Sequence, residues 1–340
     1  MVMPPLLRRF LFVVGIFSFL RLGIIIQALC QDDDIVSLVT PVYDKELNQE
    51  LGLIKYFYHS SRANCRQILL LGVGTSMTVE NGYNRIAIAT VRRNPSLIVM
   101  MLDHHVHSIV KTSATRYAAL TNQISLDLPR LLPDICGDEK TNNKHRQVEF
   151  LIGGHSSSGE AAMLAALQQL FQFQPIGFVG LDPFEISNQT IGYNDHAYLT
   201  MPALSFGFLA TTCWVKVEQA ALAQYQRSNH SSRLLYLIDN QHNGMTHCVF
   251  TDSGCGTWPL ICGGGDHDNP FQESVYEAFA ESIQKFLHSI SSGLFVKKDF
   301  ELSTSIGTNV KLCVTNDECS GSDFHPIPST SKRQGVVRSS

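Results

Sequence analysis

Apolar residues along this chain fall in short unbroken runs, separated by stretches of helical period. Residues 67–72 (QILLLG), 95–103 (PSLIVMMLD), 147–153 (QVEFLIG), 175–181 (PIGFVGL), 203–209 (ALSFGFL) and 234–239 (LLYLID) are such runs, and each predicts a strand. Helices are expected over 79–93, in parts of 113–132, and over 157–173, 215–227 and 273–290. Strands that are apolar at every position, rather than at alternate ones, belong to parallel sheets covered on both faces. Strand and helix alternate without an internal repeat. The pattern predicts one α/β domain, doubly wound, with a mostly parallel sheet and helices on both faces.

The ends of the chain change this picture. Arg8 and Arg9 precede an apolar stretch over 10–29, interrupted by Arg21 and Gln27. Ala28-Leu29-Cys30 supplies small residues for cleavage, and Gln31-Asp32-Asp33-Asp34 follows. Residues 1–30 therefore read as a cleaved secretory signal. The stretch is also long enough to serve as a membrane anchor, although Arg21 in its middle disfavours that. The folded domain is expected over 31–295. Residues 296–340, rich in Ser, Thr, Lys, Arg and Gly, are expected to be a loose tail.

Cysteine usage agrees with a secretory route. The chain has nine cysteines, and eight remain beyond Cys30, an even number that points to disulfides. The nearest neighbours, Cys255 with Cys262 and Cys313 with Cys319, are the pairs expected. Asn188-Gln-Thr and Asn229-His-Ser are candidate glycosylation acceptors. With 16% charged residues, a net charge of −4 and no basic patch, nothing favours a nucleic-acid partner.

The strongest chemical signal is Val148-Glu-Phe-Leu-Ile-Gly153-Gly154-His155-Ser156-Ser157-Ser158-Gly159. An apolar run leads into Gly-His-Ser, and a helical pattern follows at once. A serine on a sharp strand-to-helix turn is exposed at the sheet edge, with helix N–H groups aimed at a developing oxyanion. Gly154 meets the need for a small residue two positions before Ser156. Ser158 stands where glycine is usual. Ser157 is the rival nucleophile, but it would place His155 where a small residue is needed.

A serine needs a histidine to take its proton and a carboxylate to hold that histidine. In this arrangement they follow in the order serine, acid, histidine. Asp182 caps the strand after the nucleophile's helix and is the first candidate acid, with Asp195 and Asp239 as alternatives. His247 is the candidate base, since it follows a glycine-containing turn and opens a semi-apolar run. His242, nearer the strand end, is the alternative. For the oxyanion hole, one N–H is expected from Ser157. The other is expected from Val73, Gly74 or Thr75, in the loop after the 67–72 strand.

With these residues placed, the chain resembles the α/β-hydrolase superfamily, and within it the branch of chlorophyllases and platelet-activating-factor acetylhydrolases. Gly154-His155-Ser156 is similar to their Gly-His-Ser elbow. Gly180-Leu181-Asp182-Pro183 resembles the segment that carries the acid one strand later. His247-Cys-Val-Phe250-Thr-Asp252 resembles the His-x-x-Phe-x-Asp pattern around the family histidine. The resemblance spans about residues 65–290. It departs from the family at Ser158-Gly159 in place of Gly-Gly, and it lacks the His-Gly common at the oxyanion loop. It implies an α/β-hydrolase fold and a carboxylic ester hydrolase that needs no cofactor or metal and acts on apolar or lipid-like esters, with lipid-surface association as an added expectation. Thioesters or amides are alternative substrates, and a catalytically inactive binding protein is the alternative of another class.

Two further clusters are weaker. Asp103-His104-His105-Val106-His107 alternates its ligand-type residues on a strand, but no other clear ligands join them, so a loop near the substrate entrance is expected. Gly263-Gly-Gly-Asp266-His-Asp268-Asn269 has the composition of a calcium loop without its spacing, and reads as a surface loop.

Overall fold

A computed structural model of the chain describes residues 34–44, 46–75, 77–80, 82–103, 113–137, 148–183, 198–209, 220–229, 231–239, 245–252, 271–303, 310–314 and 319. Residues 1–33, His104, His105, His107, Asn188, Asp195, Cys213, His242, Cys255, Cys262 and the 263–269 loop lie outside these.

The strands are β1 (Ile35–Asp44), β2 (Gln49–His59), β3 (Gln67–Gly72), β4 (Leu97–Asp103), β5 (Glu149–His155), β6 (Pro175–Leu181), β7 (Ala203–Phe208), β8 (Arg233–Ile238) and β9 (Val310–Val314). The helices are α1 (Asn84–Arg93), α2 (Ala114–Leu131), α3 (Pro133–Cys136), α4 (Ser157–Leu167), α5 (Ala221–Gln226) and α6 (Gln272–Ser292). Short 3-10 turns lie at His247–Phe250 and Lys297–Phe300. The strands form one nine-stranded sheet in the order β1-β2-β4-β3-β5-β6-β7-β8-β9. From β4 to β8 all neighbours are parallel, while β1, β2 and β9 are antiparallel additions. This is the strand order of the α/β-hydrolase fold.

The apolar runs are unbroken because both faces of the sheet are covered. Leu69, Leu71, Val99, Met101 and Leu151 share one core with α1 and α6. Their neighbours Ile68, Leu70, Ile98, Met100 and Ile152 point the other way, into a core with α2 and α4. Complete burial of such a side chain is worth about 1.5–3 kcal/mol, so each central strand is stabilised from two directions.

The β1–β2 hairpin was not expected. Its strands mix polar with apolar positions, as IVSLVTPVYD and QELGLIKYFYH. Such strands are only half covered and leave a weaker pattern. Asp44 closes the hairpin, its Oδ1 accepting the N–H groups of Glu46 (2.8 Å) and Leu47 (3.0 Å).

Part of the C-terminal segment is ordered, and the expected Cys313–Cys319 pair is present. Val310–Val314 pairs antiparallel with β8, and Cys313 is bonded to Cys319. A strand of five residues is too short to shift the composition of its surroundings. A second disulfide joins Cys65, just before β3, to Cys136 at the end of α3. It closes a loop of 71 residues, worth about 4 kcal/mol in the chain-entropy model. Cys248 is disulfide-bonded as well. These bonds belong to a chain matured in an oxidising compartment. Among the described residues no helix is long and apolar enough to cross a membrane.

Glu281 of α6 fastens the chain after the Lys297–Phe300 turn. Its buried carboxylate accepts from the Ser303 N–H (2.9 Å) and hydroxyl (2.6 Å), and pairs with Lys285 (2.9 Å) and Arg93 (3.4 Å). Burial alone would raise its pKa, but the hydrogen bonds from Ser303 and Lys285 outweigh burial and hold it at about 2, below the ordinary 4.5. A carboxylate lowered on folding contributes stability above its unfolded pKa, and loses it as pH falls through the folded value. The cluster should therefore stabilise the protein above about pH 4.5 by on the order of 3 kcal/mol, fading toward pH 2. Chemical denaturation of wild type and Glu281→Gln should show a gap that is widest near neutral pH and closes on acidification. A gap independent of pH would contradict this.

Candidate active site

The sheet brings the candidate residues to one edge. Ser156 follows β5, Asp182 follows β6, and residues 73–75 follow β3, all at the C-terminal ends of parallel strands. This is the edge where open α/β sheets bind ligands.

The elbow turns in one residue. β5 ends at His155, α4 begins at Ser157, and Ser156 between them has φ 58° and ψ −134°. A non-glycine residue there carries strain of about 1–3 kcal/mol, and it persists only where the surroundings over-determine it. Those surroundings are a row of small residues. Gly72, Gly154, Gly180 and Ser205 sit opposite one another across β3, β5, β6 and β7. A Cβ on Gly154 would lie 2.8 Å from the Ser158 backbone, and one on Gly159 would lie 2.4 Å from Pro183 Cβ.

The row also accounts for serine at position 158. A Cβ on Gly72 would lie 2.6 Å from Ser158 Cβ. Glycine in β3 thus makes the room that the missing glycine in α4 would have left. The Ser158 hydroxyl uses that position to donate to the Val73 carbonyl, tying α4 to the loop after β3.

Asp182 and His247 meet directly. His247 Nδ1 lies 2.7 Å from Asp182 Oδ2, and both side chains are buried. Asp182 also has a left-handed backbone, with φ 37°. His247 opens the 3-10 turn, whose N-terminus is capped by Thr246, its Oγ1 accepting the Cys248 N–H at 3.3 Å. The far end of that turn is fastened by Asp252. Its carboxylate accepts the N–H groups of Asn84 (2.5 Å) and Arg85 (3.0 Å) at the start of α1, a favourable place for a negative charge. The Gln272 amide donates to the carbonyls of Val249 (3.1 Å) and Thr251 (2.8 Å). Ser156 is 5% exposed, and no hydrogen bond joins its hydroxyl to His247 among the described residues. In unliganded sites such bonds are commonly long and tighten with substrate. Asp239 follows β8, and it is Asp182 that bonds to His247 Nδ1.

In the loop after β3, two of the expected oxyanion donors already have partners. The Val73 N–H goes to the Leu102 carbonyl (2.9 Å) and the Gly74 N–H to Tyr83 Oη (2.8 Å). Neither is turned toward Ser156. Of the three candidates Thr75 is left, and its hydroxyl lies 2.5 Å from Ser157 Oγ at the start of α4. Ser157 is buried, and its backbone is the first residue of that helix.

Two side chains at this edge carry no sequence signal of their place in the site. Tyr83 was placed inside a helix, but α1 starts one residue later and Tyr83 reaches into the site. Its Oη lies 2.7 Å from His155 Nδ1. His155 Nε2 lies 3.0 Å from the His247 carbonyl, and the two imidazoles stack with centroids 4.3 Å apart. Burial first, and then the adjacent His247, push His155 well below the ordinary imidazole range. Burial raises the Tyr83 phenol. Among the described residues no group of three or more His, Cys, Asp or Glu could hold a metal ion.

No family model matches this chain, and no curated protein is similar to it in sequence. Among solved structures it is similar to Est1E from Butyrivibrio proteoclasticus, with 14% identity and a TM-score of 0.44, over 74% of this chain and 99% of that one.

The contact between Gly72 and Ser158 can be tested by a double-mutant cycle. Gly72→Ala should cost about 1–3 kcal/mol through overpacking. In a Ser158→Gly background its cost should shrink, because the nearest obstruction is gone. Strict additivity in urea denaturation would mean that the two positions do not touch.

Proposed function

We propose that this chain is a serine-dependent carboxylic ester hydrolase working through an acyl-enzyme. The observation that carries this reading is the buried Asp182–His247 pair at the sheet edge where Ser156 stands on a strained elbow. Ser156 Oγ attacks the ester carbonyl carbon while His247 Nε2 takes its proton. Asp182 holds His247 Nδ1–H and stabilises the imidazolium. The N–H groups of Ser157 and Thr75 receive the oxyanion of the tetrahedral intermediate. His247 returns the proton to the leaving alcohol as the acyl-enzyme forms. A water, deprotonated by His247, then releases the acid and restores Ser156. Neither metal nor cofactor enters these steps.

Apolar or lipid-like esters are the substrate class we propose, as the Gly-His-Ser, Gly-Leu-Asp and His-x-x-Phe-x-Asp segments imply by their resemblance to the chlorophyllase and acetylhydrolase branch. We place the protein in the secretory route. The disulfides support this, and so does the acceptor at Asn229, which sits in a turn where its Oδ1 accepts from the Ser231 N–H (3.0 Å) and hydroxyl (2.9 Å).

A fluorophosphonate should label the full chain, purified after secretory expression, at Ser156. Ser156→Ala should abolish labelling. Asp182→Asn should lower ester turnover by about 10³–10⁴-fold with the fold intact. Absence of labelling in folded wild type would refute the triad. Asn229→Gln should remove one glycan from the mass of the secreted protein, and an unchanged mass would show that Asn229 is not modified.

A further inference from the structure

Tyr83 and His155 form a buried pair at the site with no part in the steps above. The directions of their hydrogen bonds follow by elimination. A backbone N–H can only donate, so Tyr83 Oη accepts from Gly74 at 2.8 Å. A carbonyl can only accept, so His155 Nε2 carries the hydrogen shared with the His247 carbonyl at 3.0 Å. A neutral imidazole has one N–H, which leaves His155 Nδ1 bare. The Tyr83 hydroxyl then donates to it at 2.7 Å. One directional chain therefore links the loop after β3, the elbow and the loop that carries His247.

We propose that Tyr83 and His155 are positioning residues: Tyr83 locks His155 as its neutral Nε2–H tautomer, and His155 holds His247 by its carbonyl and by ring stacking. This rests on the reading of His247 as the base. His247 is then gripped twice, by Asp182 at Nδ1 in the ring plane and by His155 against the ring face. His155 directly precedes Ser156, so the same contact sets the base relative to the nucleophile.

The lock also decides which imidazole takes the proton. Ester cleavage places a positive charge on His247 for part of each cycle. A protonated His155 stacked at 4.3 Å would oppose it. The groups facing His155 are Tyr83, His247 and the ring edge of Phe250, with the Asp182 carboxylate beyond His247. Asp103 and Asp252 act on Tyr83 and disfavour its ionisation. No carboxylate touches His155 among its described contacts, whereas the Asp182 carboxylate is bonded to His247.

The test is nitrogen-15 NMR of the histidine side chains in the full secreted chain, from about pH 5 to 8.5, with His155 assigned by its loss in His155→Gln. Wild-type His155 should carry its hydrogen on Nε2 and not titrate, whereas in Tyr83→Phe its Nδ1 resonance should shift as the hydrogen bond to that atom is lost. An Nδ1–H tautomer, titration in wild type, or no change in Tyr83→Phe would each overturn the lock. The second readout is the rate of fluorophosphonate labelling at Ser156. Tyr83→Phe should slow the maximal rate by about 10–100-fold, as misplacement of a base does, with little change in the half-saturating concentration. His155→Gln, which can still donate to the His247 carbonyl, should retain most of the rate that His155→Leu loses. Equal rates in those two variants would overturn the positioning role, even if Tyr83→Phe does not fold. A locked His155 in a wild type that does not label would refute the triad, and the positioning role with it, but leave the lock standing. Labelling with a titrating His155 would do the reverse.

Discussion

The distance at which α4 can press against the ends of β3, β5 and β6 governs the whole edge of the sheet. Gly72 and Gly154 lie side by side there, and a Cβ at either would come within 3 Å of Ser158 in α4, while one on the adjacent Gly180 would meet Pro183. With the helix this close, the chain has one residue in which to turn from strand to helix, and Ser156 is that residue. The same closeness brings Ser158 to the Val73 carbonyl and Ser157 to Thr75. One packing constraint thus fixes the nucleophile, the first turn of its helix and the neighbouring loop.

A repeated backbone bond gives the edge its second regularity. The residue just past β3, β5, β6 and β7 donates its N–H to the last residue of the adjacent strand, or to a residue near that end. Val73 bonds to Leu102, Ser156 to Leu181, Asp182 to Phe206 and Leu209 to Ile238. Nucleophile and acid therefore occupy equivalent steps on adjacent strands, and their side chains leave the sheet from matched positions. The base has no such step. His247 lies beyond the end of β8 in a 3-10 turn, so it depends on local fastenings instead: Thr246 at one end, Asp252 on the start of α1, and Gln272 from α6. A histidine carried by a loop becomes as well placed as a strand-end residue only through such bonds.

The parts that were legible in the sequence are those where one local rule acts alone. The unbroken apolar runs located β3 to β8 because burial on both faces leaves no polar position. Gly-His-Ser and Gly-Leu-Asp-Pro were legible because a tight turn at a strand end restricts residue type, and His247 because it follows a glycine-containing turn and opens a semi-apolar run. The β1–β2 hairpin and β9 are edge additions with partial burial, and their mixed patterns resemble loops. Tyr83 and His155 were hidden for another reason. Their significance lies in a hydrogen bond across 72 residues of sequence, and neither residue type nor spacing encodes its partner. The partners of the Val73 and Gly74 N–H groups were hidden for the same reason. A Gly-x-Gly loop says that a backbone comes close to something, but not that its N–H groups are already spent on Leu102 and Tyr83.

Such an edge is costly to build, and its costs fall where the fold can bear them. Left-handed φ at Ser156 and Asp182 stores about 1–3 kcal/mol at each. A buried carboxylate such as Asp182 loses hydration that its pairing with a histidine restores only in part. Neither feature favours folding. Both stand one residue beyond strands buried on two faces, with their own N–H groups bonded to the next strand. Relaxing the strain would break that bond and pull the helix away from the glycine row. These two strained residues are thus held by strands buried on both faces, the condition under which a serine can be kept in an unfavourable conformation and presented at the sheet edge.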